Sequence, residues 1–101
     1  MTPKSKPKVT LSQIAFDDLK KLQGNLRRHV IVTINDLEVD PRPSNSKQLT
    51  IEDDMREIRR LRLGKWRIIY AIVEEQTIVL GVRRRPPYNY DDLKRLLEDV
   101  D

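Results

Sequence analysis

Between Met55 and Arg85 the chain sets eight arginines and one lysine (Arg56, Arg59, Arg60, Arg62, Lys65, Arg67, Arg83, Arg84 and Arg85) against three acids, Glu57, Glu74 and Glu75. The whole 101-residue chain carries only +4, so the segments outside this stretch are together net acidic. Solubility alone could be met by lysine, whereas arginine presents a planar fork of donors that fits a phosphate group. Charge this dense on adjacent strands repels itself and calls for a counter-anion. A polyanion is the expected partner, with Arg60, Arg62, Arg67 and the Arg83 to Arg85 run as the main phosphate-binding candidates and Lys65 beside them.

The absences narrow the chemistry. With no cysteine and one histidine there is no thiolate, no Cys/His zinc site and no Ser-His arrangement. The three glycines, Gly24, Gly64 and Gly81, are isolated, so no phosphate-cradling loop is present. No metal or cofactor is implied. Phosphodiester chemistry remains open, because it needs cations around the phosphate and a group that moves a proton. Arginine supplies the cations but does not deprotonate near neutral pH. The remaining proton carriers near the basic stretch are Lys65, Tyr70, Tyr88 and Tyr90. A tyrosine ringed by guanidinium groups would have its anionic form favoured. His29 falls on the polar side of a helix, and Trp66 and Tyr70 alternate with Ile68, which reads as packing.

The elements that must position these residues can be read from periodicity. A single α+β domain over residues 1–101 is expected, with a disordered leader at 1–7. Val9 and Leu11 suggest a short first strand. Ser12 is placed to cap a helix carrying Ala15, Leu19 and Leu22, with Gly24 as its stop. Leu26, Val30, Ile34 and Leu37 form the stripe of a second helix over residues 25–39, despite the β-branched run from Val30 to Ile34. Asp40 to Ser46 is a loop, and Leu49 to Asp54 reads as a connecting segment with one turn. Three strands follow: one with Arg60, Leu61, Arg62 and Leu63 in strict alternation, one from Trp66 to Val73, and one from Thr77 to Arg84. Gly64-Lys65 and Glu74-Glu75-Gln76 are the turns, and Pro86-Pro87 ends the last strand. Leu93, Leu96, Leu97 and Val100 mark an amphipathic helix over 91–100, capped by Asp91 or Asp92. The expected order is β-α-α-β-β-β-α: a small, twisted, mostly antiparallel sheet with an N-terminal helical hairpin on one face and the other face open and arginine-rich. The N-terminus has no signal-peptide pattern, and Ile68 to Val73 is too short to cross a bilayer. A cytoplasmic protein is expected.

Arg60 to Tyr70, Arg-Leu-Arg-Leu-Gly-Lys-Trp-Arg-Ile-Ile-Tyr, resembles the signature strand pair of the RelE/ParE toxin superfamily. The helical hairpin, the Asp-Pro-Arg-Pro loop from Asp40 to Pro43, Lys47-Gln-Leu49 and the downstream Val-Leu-Gly-Val-Arg-Arg-Arg agree with it, over roughly residues 8–90. The resemblance implies a type II toxin that cleaves mRNA in the ribosomal A site without a metal. In that chemistry the 2′-hydroxyl attacks phosphorus, leaving a 2′,3′-cyclic phosphate and a 5′-hydroxyl. It places Arg60 and Arg62 where the type member has two lysines, and Arg67 on the scissile phosphate. Arg84 or Arg85 takes the arginine position after the last strand, and Tyr88 or Tyr90 the C-terminal tyrosine. Arg67, Arg85, Tyr88 and Tyr90 are thus the expected catalytic set, with Arg60, Arg62, Lys65, Arg83 and Arg84 binding RNA. Arginine in place of the two lysines keeps phosphate binding but not a general base. The histidine many relatives carry after the last strand is absent.

The same resemblance implies a cognate antitoxin, ribosome and mRNA as partners, and operator DNA bound by the toxin–antitoxin pair. ParE relatives share the fold but inhibit DNA gyrase, which is the alternative. A catalytically inactive antitoxin-binding corepressor is a third reading.

Overall fold

In the computed structural model, which describes residues 8–100, five strands form one sheet. The elements are β1 (Val9–Leu11), α1 (Gln13–Lys20), α2 (Gly24–Asp36), β2 (Ser46–Ile51), β3 (Asp54–Leu63), β4 (Trp66–Val73), β5 (Gln76–Arg84) and α3 (Leu93–Leu96), followed by a 3₁₀ turn at Leu97–Asp99. The spatial order is β1-β5-β4-β3-β2. β2, β3, β4 and β5 pair antiparallel in sequence, and β1 lies parallel to β5 at the edge. The α+β class and the mostly antiparallel sheet agree with the sequence reading. The expected leader at 1–7 lies outside the described residues.

Alternation along β4 builds two cores. Ile68, Tyr70 and Ile72 face the hairpin, packing with Ala15, Leu19 and Leu22 and with Val30, Ile34 and Leu37. Trp66 is partly buried against the same cluster. Tyr70 is fully buried and donates its hydroxyl to the Pro41 carbonyl at 2.7 Å, which ties the Pro-containing loop to the sheet. Ile69 and Ala71 face the other way and pack with Ile58, Leu80, Leu96, Leu97 and Val100.

Four expectations need correction. Leu49 to Ile51 is no connecting segment but the end of strand β2, whose residues 46–49 pair with Ile58 to Leu61. The order therefore gains a strand. Gly24 does not stop the first helix, which ends at a cap on Lys21; it opens the second. The C-terminal helix is one turn plus a 3₁₀ turn, and the Asp92 side chain makes no capping bond because it is engaged elsewhere. Finally, the second sheet face is not open throughout. Leu96, Leu97 and Val100 cover its lower half, leaving only the end beyond Ile69 uncovered. Ser12 does cap α1, its Oγ accepting from Ala15 N–H at 3.1 Å.

Candidate functional site

Strand register turns the arginine pattern into rows on the second sheet face. Leu49, Ile58, Ala71 and Ile78 make an apolar row. The next holds Lys47, Arg60 and Ile69, and the last sets Arg62, Arg67 and Arg83 directly across from one another. Passing along the face, hydrocarbon gives way to guanidinium within two rows, because side chains two residues apart share a face. Arg83 reaches this face through a bulge. Ile69 pairs with Gly81 but Tyr70 pairs with Val79, so Leu80 is the extra residue of β5. The shift sends Val82 into the hairpin core and Arg83 to the arginine row.

A pocket of about 250 Å³ opens at this end, lined by Lys47, Gln48, Leu49, Arg60, Arg67, Arg85 and Tyr90. Arg67 Nη1 is held by the carbonyls of Gly64 and Trp66, both at 3.0 Å, so the guanidinium is anchored to the β3–β4 turn. Gly64 sits there at φ 60°, a left-handed turn position that glycine adopts without strain. Arg85 is anchored by its own N–H to the Lys65 carbonyl at 2.7 Å. Its guanidinium lies 5.1 Å from the Tyr90 ring centroid and donates to the Tyr88 carbonyl at 3.2 Å. Tyr90 itself has φ 65°, uncommon for a bulky residue and the kind of backbone strain that collects at functional sites.

The ion pairs sort the nine cations of the basic stretch. Arg56 is bound to Asp54 and to the Val100 carbonyl, Arg59 to Glu57, and Arg83 to Asp18 and Asp92. Among the described residues Lys47, Arg60, Arg62, Lys65, Arg67, Arg84 and Arg85 form no ion pair. The pocket is therefore walled by cations with no carboxylate among its lining residues.

Of the residues expected from sequence, the structure brings Arg60, Arg67, Arg85 and Tyr90 around one pocket. Arg62 stands beside them across from Arg67, and Lys65 occupies the exposed turn. The Arg83 guanidinium, expected to bind RNA, is paired with the carboxylates of Asp18 and Asp92. Arg84 and Tyr88 line a separate cleft. The expectation of an acidified tyrosine fails at Tyr88, whose phenol is pushed well above its ordinary range by burial and by the Asp92 carboxylate that accepts its proton at 2.6 Å. Lys47 had been noted in the sequence but not as a site residue. Its signal is its place opposite Arg60, which a connecting segment from Leu49 to Asp54 does not supply.

A family model described as ParE toxin of type II toxin-antitoxin system, parDE, matches residues 9–86. The chain belongs to the RelE/ParE toxin superfamily. This toxin is similar in structure to the archaeal RelE–RelB complex of Pyrococcus horikoshii, with a TM-score of 0.68 and 22% identity over 80% of this chain and 97% of that one. The RelBE2 toxin–antitoxin complex of Mycobacterium tuberculosis gives 0.65 and 25%, over 79% and 100% of the two chains. The isolated RelE toxin of E. coli gives 0.63 and 14%, over 95% and 100%. No curated protein sequence matches. The family makes this RelE/ParE chain a toxin of a type II toxin–antitoxin system. Among its described residues no helix is long and apolar enough to cross a membrane.

Proposed function

We propose that this toxin is a metal-independent, ribosome-dependent mRNA endoribonuclease whose phosphate site is the pocket of Arg60, Arg67, Arg85 and Tyr90. The observation that carries the reading is one pocket lined by Arg60, Arg67, Arg85 and Tyr90 with no carboxylate, in which Arg67 and Arg85 are anchored to backbone carbonyls and Arg85 lies over the Tyr90 ring. Arg67 and Arg60 hold the non-bridging oxygens of the scissile phosphate, and Arg85 offsets the charge that grows as the phosphorus becomes five-coordinate. The O2′–P bond forms and the P–O5′ bond breaks, giving a 2′,3′-cyclic phosphate and a 5′-hydroxyl. The proton leaving O2′ must be taken up and one delivered to O5′. Tyr90 and Lys47 are the pocket groups able to carry protons. Arg62 and Lys65 engage the flanking backbone. A cognate antitoxin, mRNA on the ribosome, and operator DNA bound with the antitoxin are the partners this reading assigns.

The match to a ParE model favours a second reading, inhibition of DNA gyrase. Primer extension on a defined mRNA, with and without programmed ribosomes, separates the two. The expected result is ribosome-dependent cutting, reduced about 10²- to 10³-fold by Arg67→Ala, the loss typical of removing one preorganised donor from a developing anion. A folded Arg67→Ala protein that cuts at the wild-type rate would sink the assignment. Intact mRNA with inhibited supercoiling would transfer it to gyrase, and intact mRNA with unaffected gyrase to a binding module.

A further inference from the structure

Asp18 lies on α1 and lines no part of the phosphate pocket, yet a chain of polar contacts runs from it to the pocket wall. Its place follows from the edge of the sheet. β1 stops at Leu11 and the chain turns into α1, so β5 loses its outer strand partner after Val79. Side chains take over the open edge. Ser12 Oγ donates to the Leu80 carbonyl, and Asp18 Oδ2 accepts the Val82 N–H at 2.9 Å. The same oxygen pairs with Arg83 Nη1. Arg83 Nη2 donates to Asp92 Oδ2 at 3.1 Å, and Asp92 Oδ1 accepts the Tyr88 hydroxyl at 2.6 Å. The Tyr88 ring meets the Tyr90 ring edge to face at 4.8 Å between centroids, and the Tyr88 carbonyl accepts from Arg85. Gly81 makes room for the inner link, since a Cβ there would stand 3.3 Å from Asp18 Oδ2 and 3.6 Å from the Arg83 guanidinium carbon. Only 11% of the Asp18 side chain is exposed. Removing either partner from so buried a pair leaves a charge unmet, which holds the pair in one geometry.

We propose that Asp18 is a positioning residue for Tyr90, acting through Arg83, Asp92 and Tyr88 to fix the phenol in the phosphate pocket from the hairpin side of the sheet. Tyr90 needs such support because its backbone sits at φ 65°, where a bulky side chain gains nothing from local preference. Its neighbours must set its ring, and they are the Arg85 guanidinium and the Tyr88 ring. Tyr88 can serve as a fixed wall because its hydroxyl and carbonyl are both engaged. Asp18 touches no reacting atom. Its effect is on the distance and angle at which the phenol meets the phosphate, to which proton transfer is sensitive.

The effect on cleavage rests on the nuclease reading of the pocket, whereas the placement of the ring does not, so the two are measured separately. The chain has three tyrosines, and isotope-labelled tyrosine gives each a resolvable ring signal by NMR, assigned with Tyr88→Phe and Tyr90→Phe. Asp18→Asn keeps the size of the side chain and removes its charge. It is expected to shift the Tyr88 and Tyr90 signals and leave that of Tyr70, buried in the hairpin core, in place. On programmed ribosomes the same variant should lower kcat about tenfold with KM unchanged, within the roughly 10²-fold that a misplacement of about 1 Å costs. In a Tyr90→Phe background it should lower kcat no further, because both changes act on one hydroxyl. An unmoved Tyr90 signal, a wild-type kcat, or an equal loss in both backgrounds would overturn the proposal. Should Asp18→Asn unfold the toxin, Asp92→Asn interrupts the chain at its more exposed carboxylate, and the same readings decide. Shifted Tyr88 and Tyr90 signals, from a toxin that leaves ribosomal mRNA intact, would uphold the placement and remove the nuclease reading.

Discussion

Tyr88 and Tyr90 stand two residues apart in the same charged neighbourhood and meet different fates. Sequence gave no means of choosing between them, because the choice depends on where Asp92 lies. Its carboxylate takes the Tyr88 proton into a short hydrogen bond, leaving Tyr90 as the phenol beside free guanidinium groups. Burial also pushes the Tyr70 phenol above its ordinary value of 10.0, as burial and Asp92 do for Tyr88. Both groups ionise near pH 10 in the unfolded chain and only at higher pH in the fold. The stability they contribute is therefore complete below pH 10 and is lost as pH rises toward the folded values. Alkaline titration followed together by tyrosinate absorbance and circular dichroism should show Tyr70 and Tyr88 ionising only as structure is lost. Tyr88→Phe should move that transition to higher pH; an unmoved transition would mean that Tyr88 is accessible in the folded state.

At the scale of elements, the strong periodicities were legible and the weak ones were not. The stripe of Val30, Ile34 and Leu37 held α2 as a helix against its β-branched run, because three turns of burial outweigh small differences in propensity. Trp66 to Val73 split into its two faces as alternation required. Strand β2 escaped because it is an edge strand between a Pro-containing loop and an acidic turn. It carries only Leu49 and Ile51 as apolar markers, and its pairing is set by β3. With β2 unseen, Lys47 could not be placed opposite Arg60, so part of the site was lost with the element. Ser12 shows the opposite case, a local signal that tertiary structure reinforces. Its Oγ both accepts from Ala15 N–H and donates to the Leu80 carbonyl at 3.2 Å, joining the α1 cap to β5. Ser12→Ala should cost about 1–2 kcal/mol, the upper part of the capping range, because two bonds are lost. Chemical denaturation measures this directly, and a change within error would show that water replaces both partners.

Over the whole molecule, charge is segregated instead of balanced. The acids placed outside the basic stretch return to it selectively. Asp18 and Asp92 neutralise Arg83, and Asp54 takes Arg56, while the pocket end receives none. RNA affinity should therefore fall with salt, at roughly 0.7 log units per log unit of salt for each phosphate neutralised. Arg60→Ala and Arg62→Ala should each reduce that slope by about 0.7, whereas Arg56→Ala should leave it unchanged because that guanidinium is already spent. Equal slopes for all three would place the RNA elsewhere. The bulge at Leu80 carries a separate consequence for comparing relatives. One residue of length in β5 decides whether every later side chain of the strand points to the hairpin or to the arginine-bearing face. Two toxins can then keep the same face chemistry while differing by one position in that strand. A gapless alignment would set an inward valine against an outward arginine and score the pair as divergence. Equivalence along β5 must follow the side on which a residue lies, with the gap set at the bulge.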